Sequence, residues 1–126
     1  MMNFSFTNYE MERRFKKLQV LYQSDKEMPA TVAYSIVRTL NAMQDVLAPF
    51  GMVRDQLVRR YSGGKDTLSR DDNPEAYESC IKELDEIGNK MVNVELPEIE
   101  LKDLTGVNFT PKEMACLQII IKQQKE

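Results

Sequence analysis

Apolar residues recur along this chain with two different periods. Val32, Ile36, Leu40, Met43, Leu47, Phe50, Leu57 and Tyr61 return at steps of three or four, with Arg54 the one polar residue in the series. That spacing predicts one face of a long helix over residues 29–61, with Pro29 suited to its start. A straight helix of this length would measure about 50 Å, whereas a compact chain of this size has a radius of gyration of about 14 Å. Pro49 lacks the amide that would bond Asp45 and its ring crowds that carbonyl, so a kink or break is expected there, helped by Gly51. The second period is alternation. Met2, Phe4 and Phe6 alternate with polar residues, as do Val92, Val94 and Leu96, then Ile99 and Leu101. The apolar parity switches at Pro97, which predicts a bulge or kink and confines the segment to an edge. A small sheet made from residues 2–6 and 92–101 is the expectation.

Two helix starts are spelled out by their capping residues. Thr7-Asn8-Tyr9-Glu10 and Thr110-Pro111-Lys112-Glu113 both have the capping-box pattern. In each, the threonine hydroxyl and the glutamate carboxylate can satisfy amides that the first turn leaves unpaired. Phe6 with Met11, and Phe109 with Met114, stand where a hydrophobic staple needs them. Helices over 8–23 and 111–124 follow. Asn73-Pro74 reads as cap and first position of a further helix, with Tyr77, Ile81, Leu84, Ile87 and Met91 on its apolar face and Cys80 beside them. The fold expected is mostly α with a minor β part (α+β): a helical bundle with one long kinked helix and a small sheet, in a single domain over 1–126.

Composition narrows the chemistry. The 126 residues contain no histidine, which removes the commonest general base and the commonest zinc ligand. Cys80 and Cys116 form no C-x-x-C pair, so no metal knuckle or dithiol motif is written, and they read as small buried apolar residues. No signal peptide or membrane span fits, and a cytoplasmic location is expected. The net charge of −3 hides an asymmetry: residues 1–70 carry 11 basic and 7 acidic side chains, whereas residues 71–103 carry 3 and 11. The acidic segment can pack beside the basic one within a subunit, face water, meet another subunit head to tail, or present a face to a basic partner.

Ser62-Gly63-Gly64-Lys65-Asp66 is similar to the S-G-G-x-D pyrophosphate loop of ATP pyrophosphatases. In those enzymes the loop follows a buried strand and opens a helix. Here Arg54 to Tyr61 form a charged amphipathic helix instead, so the setting is wrong for nucleotide chemistry. Arg59, Arg60, Tyr61, Lys65 and Arg70 nevertheless cluster in sequence around the loop and are the candidate residues for binding an anion or a partner. The interleaved Asp55, Asp66, Asp71 and Asp72, with a pI near 5.1, argue against nucleic acid. Asp71-Asp72-Asn73-Pro74-Glu75 lacks the glycine and the closing glutamate of a calcium loop. No metal or cofactor is expected.

The order of elements as a whole carries a resemblance. A short first strand and helix are followed by Met28-Pro29-Ala30-Thr31-Val32-Ala33-Tyr34, which opens the long helix. Its arginine-rich end runs into a Gly and Asp loop. Asp72-Asn73-Pro74-Glu75-Ala76-Tyr77 then opens a helix, and Val94-Glu95-Leu96-Pro97-Glu98-Ile99-Glu100-Leu101 leads to a closing Thr110-Pro111 helix. This resembles, over nearly the entire chain, a family of small uncharacterised proteins encoded by tailed phages and prophages of Gram-positive bacteria. The resemblance implies a bacterial host and brings no assigned activity and no catalytic residues. Pro49 and the Ser62–Asp66 string are not features of that family.

The function expected is therefore that of a non-enzymatic phage or prophage accessory protein acting through contact with an as yet unidentified protein partner, in a structural, assembly or host-interaction role. The alternative is a small-molecule or nucleotide-binding anti-defence protein using the basic residues near the loop. Self-association as a dimer is also expected. Val32, Ile36, Leu40, Met43, Leu47, Phe50 and Leu57 form a stripe longer than one small subunit readily covers, each such side chain being worth about 1.5–3 kcal/mol when buried.

Overall fold

A computed structural model of the chain describes residues 2–24 and 26–121. The chain opens with β1 (Met2–Thr7) and turns directly into α1 (Asn8–Gln23). Thr7 caps this helix, its Oγ1 accepting the Glu10 amide at 3.1 Å. Only half of the expected box forms, because the Glu10 carboxylate turns instead to Arg14 one helical turn on, at 3.2 Å.

The long helix α2 (Ala30–Ser62) runs continuously through Pro49, so of the kink or break expected there the break does not occur. Pro49 and Asp45 both lie on the exposed side, so the carbonyl that loses its amide partner can bond to water and is not stranded in the core. The stripe on α2 is covered within the single chain. Val32, Ile36, Met43, Phe50 and Leu57 are buried, and Leu40 and Leu47 are half-buried against the same core. The seven residues expected at a subunit interface therefore pack within the single chain. Around Val32, Ile36 and Met43 the cover comes from Met11, Leu18 and Leu21 of α1, Val94 and Leu96 of the sheet, and Ile99, Leu104, Leu117 and Ile120 from the last third, while the Tyr9 ring meets Phe50 edge-on.

The helix α3 (Pro74–Gly88) starts as its sequence predicts, with Asn73 Oδ1 accepting the Ala76 amide at 3.1 Å. Its other end is fixed to the start of α1. Tyr9 lies directly over Gly88, where an added Cβ would stand 2.2 Å from the ring. The Tyr9 hydroxyl donates to Asp85 at 2.6 Å, and Asn8 Nδ2 donates to the Ile87 carbonyl at 2.8 Å. Met91, expected on the apolar face of this helix, belongs to the next strand and is exposed.

That strand, β2 (Met91–Leu96), pairs antiparallel with β1 from Met2 opposite Leu96 to Thr7 opposite Met91. Phe4, Phe6, Val92, Val94 and Leu96 turn to the core, while Asn3, Ser5, Asn93 and Glu95 face out, as alternation requires. Pairing stops before Pro97, so residues 97–101 do not extend the sheet. Ile99 instead makes an isolated parallel bridge with Ile121, and a short 3₁₀ turn follows over Leu101–Leu104. The parity switch at Pro97 thus marks the end of a strand, not a bulge within one.

The last helix, α4 (Pro111–Leu117), has the complete capping box on Thr110 and Glu113. It tightens into a 3₁₀ turn at Gln118–Ile120 instead of continuing regularly. Ile121 is already extended, and residues 122–124 of the expected helix lie outside the described residues. Among the described residues no helix is long and apolar enough to cross a membrane.

Candidate functional site

The basic residues singled out around Ser62-Gly63-Gly64-Lys65-Asp66 sit at the carboxyl end of α2. Gly63 and Gly64 both have positive φ, 74° and 98°, and the Gly64 amide returns to the Arg59 carbonyl at 2.7 Å. The glycines therefore stop a helix. This is the carbonyl end of the macrodipole, which repels an anion, whereas a phosphate cradle needs the amide end. The cations are also matched to carboxylates or rings of the same chain. Arg59 lies 3.8 Å from Asp66, and Arg60 lies 3.9 Å from one oxygen of Glu83. The Tyr61 hydroxyl donates to the other oxygen of Glu83, a bond that, ahead of burial, raises the phenol above its ordinary pKa. Arg70 lies over the Tyr77 ring at 5.0 Å. Lys65 alone has no side-chain partner among the described residues. The structure thus brings Arg60 and Tyr61 together at Glu83 and makes of this region a tie between α2 and α3.

A different arrangement stands between α1 and α4. Their facing sides enclose a groove of about 720 Å³. On α1, Glu10, Arg13, Arg14, Lys17, Val20 and Leu21 line it, at the three- and four-residue steps that put side chains on one helical face. Lys112, Glu113, Ala115 and Cys116 of α4 close the other side. The Lys26 ammonium locks this second wall by donating to the Asn108 carbonyl at 2.6 Å and to Glu113 at 2.5 Å. It also lies 5.3 Å from the centre of the Phe109 ring. Below the groove, Leu117 and Ile120 anchor the segment in the core.

The charges lining this groove are not balanced locally. Glu10 is held by Arg14. Glu113 is held by Lys26 and by the Thr110 amide, and those two contacts, Lys26 first, keep its carboxyl below the usual range. Arg13, Lys17 and Lys112 have no side-chain partner among the described residues. Beside them lies an apolar strip of Ala115, half-exposed Cys116 and Val20, the last 68% exposed. Cys116 was expected to be buried, as Cys80 is, and both thiols are free.

Such a surface can attract carboxylates or phosphates and cover an apolar contact. It offers no paired nucleophile and base, and among the described residues no cluster of three or more acidic or cysteine side chains could hold a metal ion. These residues carry no motif that singles them out in the sequence. The available signal was the run Arg13-Arg14-Phe15-Lys16-Lys17, three of whose four cations face the groove. No protein-family model, curated protein or solved structure gives a significant match to the chain.

Proposed function

We propose that the protein is a non-enzymatic accessory protein, of the phage or prophage kind its sequence resembles, that acts by holding an acidic amphipathic segment of a partner protein in the α1–α4 groove. The observation that carries this reading is the juxtaposition of Arg13, Lys17 and Lys112 with the strip of Val20, Ala115 and Cys116. A free phosphate or nucleotide would use the cations and leave the strip wet. A short helix with carboxylates along one side and leucines along the other would use both.

The test is a titration of the full chain with a fluorescent Glu/Leu amphipathic peptide, with ATP and inorganic phosphate in parallel. Saturable peptide binding is expected to weaken with salt, to shield Cys116 from alkylation, and to be lost in the Arg13→Glu/Lys17→Glu variant while surviving Arg59→Ala. No saturable peptide binding would overturn the proposal. ATP binding that disappears with Arg59→Ala would move the site to the α2 tip.

A further inference from the structure

The two-stranded sheet leaves its first strand with an outer edge on which no third described strand lies, and Asn3 and Ser5 are exposed there. The groups on that edge follow from one hydrogen bond. The Asn8 amide donates to the Lys90 carbonyl at 3.2 Å, just beyond the Thr7–Met91 pair. Bonded and non-bonded pairs alternate in an antiparallel ladder, so Phe6 with Val92 and Phe4 with Val94 are bonded pairs. Ser5 with Asn93 and Asn3 with Glu95 are then the non-bonded ones. The side-chain bond from Ser5 Oγ to Asn93 Oδ1, 2.5 Å long, fits the closer approach of a non-bonded pair. The backbone N–H and C=O groups of Asn3 and Ser5 consequently point away from β2, and no partner for them is found among the described residues.

Open strand edges are normally blunted by charge, proline or a bulge. The edge of β2 carries Glu95 and is followed by Pro97. β1, with the sequence Met-Asn-Phe-Ser-Phe-Thr, carries none of these. We propose that β1 pairs antiparallel with β1 of a second copy, extending the sheet to four strands in the order β2-β1-β1-β2. A two-fold axis at Phe4 sets Asn3 of each copy against Ser5 of the other, so that the outward amides and carbonyls satisfy one another reciprocally. This register also keeps the pairing clear of Asn8, where α1 begins. On the inner face it brings the two Phe4 rings side by side as a non-bonded pair, where side chains are closest. Phe4 is only half-buried in one chain and stacks on Phe6 at 5.9 Å. The second copy prolongs that aromatic layer. The contact is isologous and closes at two, and it does not involve the α1–α4 groove.

Sedimentation equilibrium of the full chain at tens of micromolar tests the proposal, together with amide exchange. The expected mass is twice the 14.6 kDa of one chain, with the Asn3 and Ser5 amides as protected as those of Phe4 and Phe6. Ser5→Pro removes an outward amide that β2 does not use, and Asn3→Lys sets a charge on the edge. Each is expected to give the single-chain mass with an unchanged circular dichroism spectrum. A single-chain mass for the unmodified protein would overturn the proposal. So would a dimer with freely exchanging Asn3 and Ser5 amides, or one that survives both substitutions.

Discussion

The two long faces of α1 are treated in opposite ways. Toward α2 and α3 the helix is fastened: Met11 and Leu18 are in the core, Tyr9 seats on Gly88, and Glu12 meets Arg54 at 2.6 Å. Toward α4 it presents Arg13 and Lys17, unpaired among the described residues, above a strip that includes exposed Val20. One helix thus serves as a rigid platform on one side and an unsatisfied surface on the other. The contrast teaches that residues engaged in contacts of the same chain report on stability, whereas those left without such contacts report on binding.

The largest expected effect comes from breaking the fastened side. Gly88→Ala drives a Cβ into the Tyr9 ring and displaces it from its edge-on contact with Phe50, at 5.7 Å, and from Asp85. A loss of about 1–3 kcal/mol is expected for such overpacking, read as a thermal midpoint lowered by several degrees. Tyr9→Leu in the same chain should restore part of it. Reversing the open side should act on affinity instead. Arg13→Glu with Lys17→Glu is expected to weaken the acidic peptide at least tenfold, about 1.4 kcal/mol, with the thermal midpoint unchanged.

The lock on the second wall should show in acid. The Glu113 carboxyl is held below its ordinary pKa in the folded chain, so its contribution is present above the unfolded value and is lost as pH falls through the folded one. Thermal midpoints measured from neutral pH downward should fall less steeply in Glu113→Gln. The smallest effect is one of rate. The Cys80 thiol is raised by burial and then by Glu83, whereas Cys116 stands half-exposed in the groove, so iodoacetamide should label Cys116 first, as peptide mapping would show.

Much of the scaffold could be read from local chemistry. Thr7, Asn73 and Thr110 each start the helix their side chains announce, and the alternation around Phe4 and Val94 places the two strands. What depended on distant partners could not be read in this way. The stripe from Val32 to Leu57 is too long for any one neighbour, but α1, α3, the sheet and the last third of the chain pack along α2 jointly. Pro49 is tolerated because it lies on the wet side, which its period alone does not reveal. Arg60 and Arg70 looked available because their partners, Glu83 and Tyr77, stand elsewhere in sequence. The groove was hidden for the converse reason: Lys17 and Lys112 become neighbours only when α4 folds back onto α1.

The pairing of β1 with β2 has a kinetic consequence. It joins Met2 to Leu96, so the sheet closes a loop that takes in most of the chain, and that closure entropy falls due before any strand contact can offset it. The hydrogen bonds within each helix need only residues close in sequence and can form first, leaving the sheet to complete the fold at the end. Substitutions such as Phe4→Leu should therefore quicken unfolding while leaving the refolding rate almost unchanged.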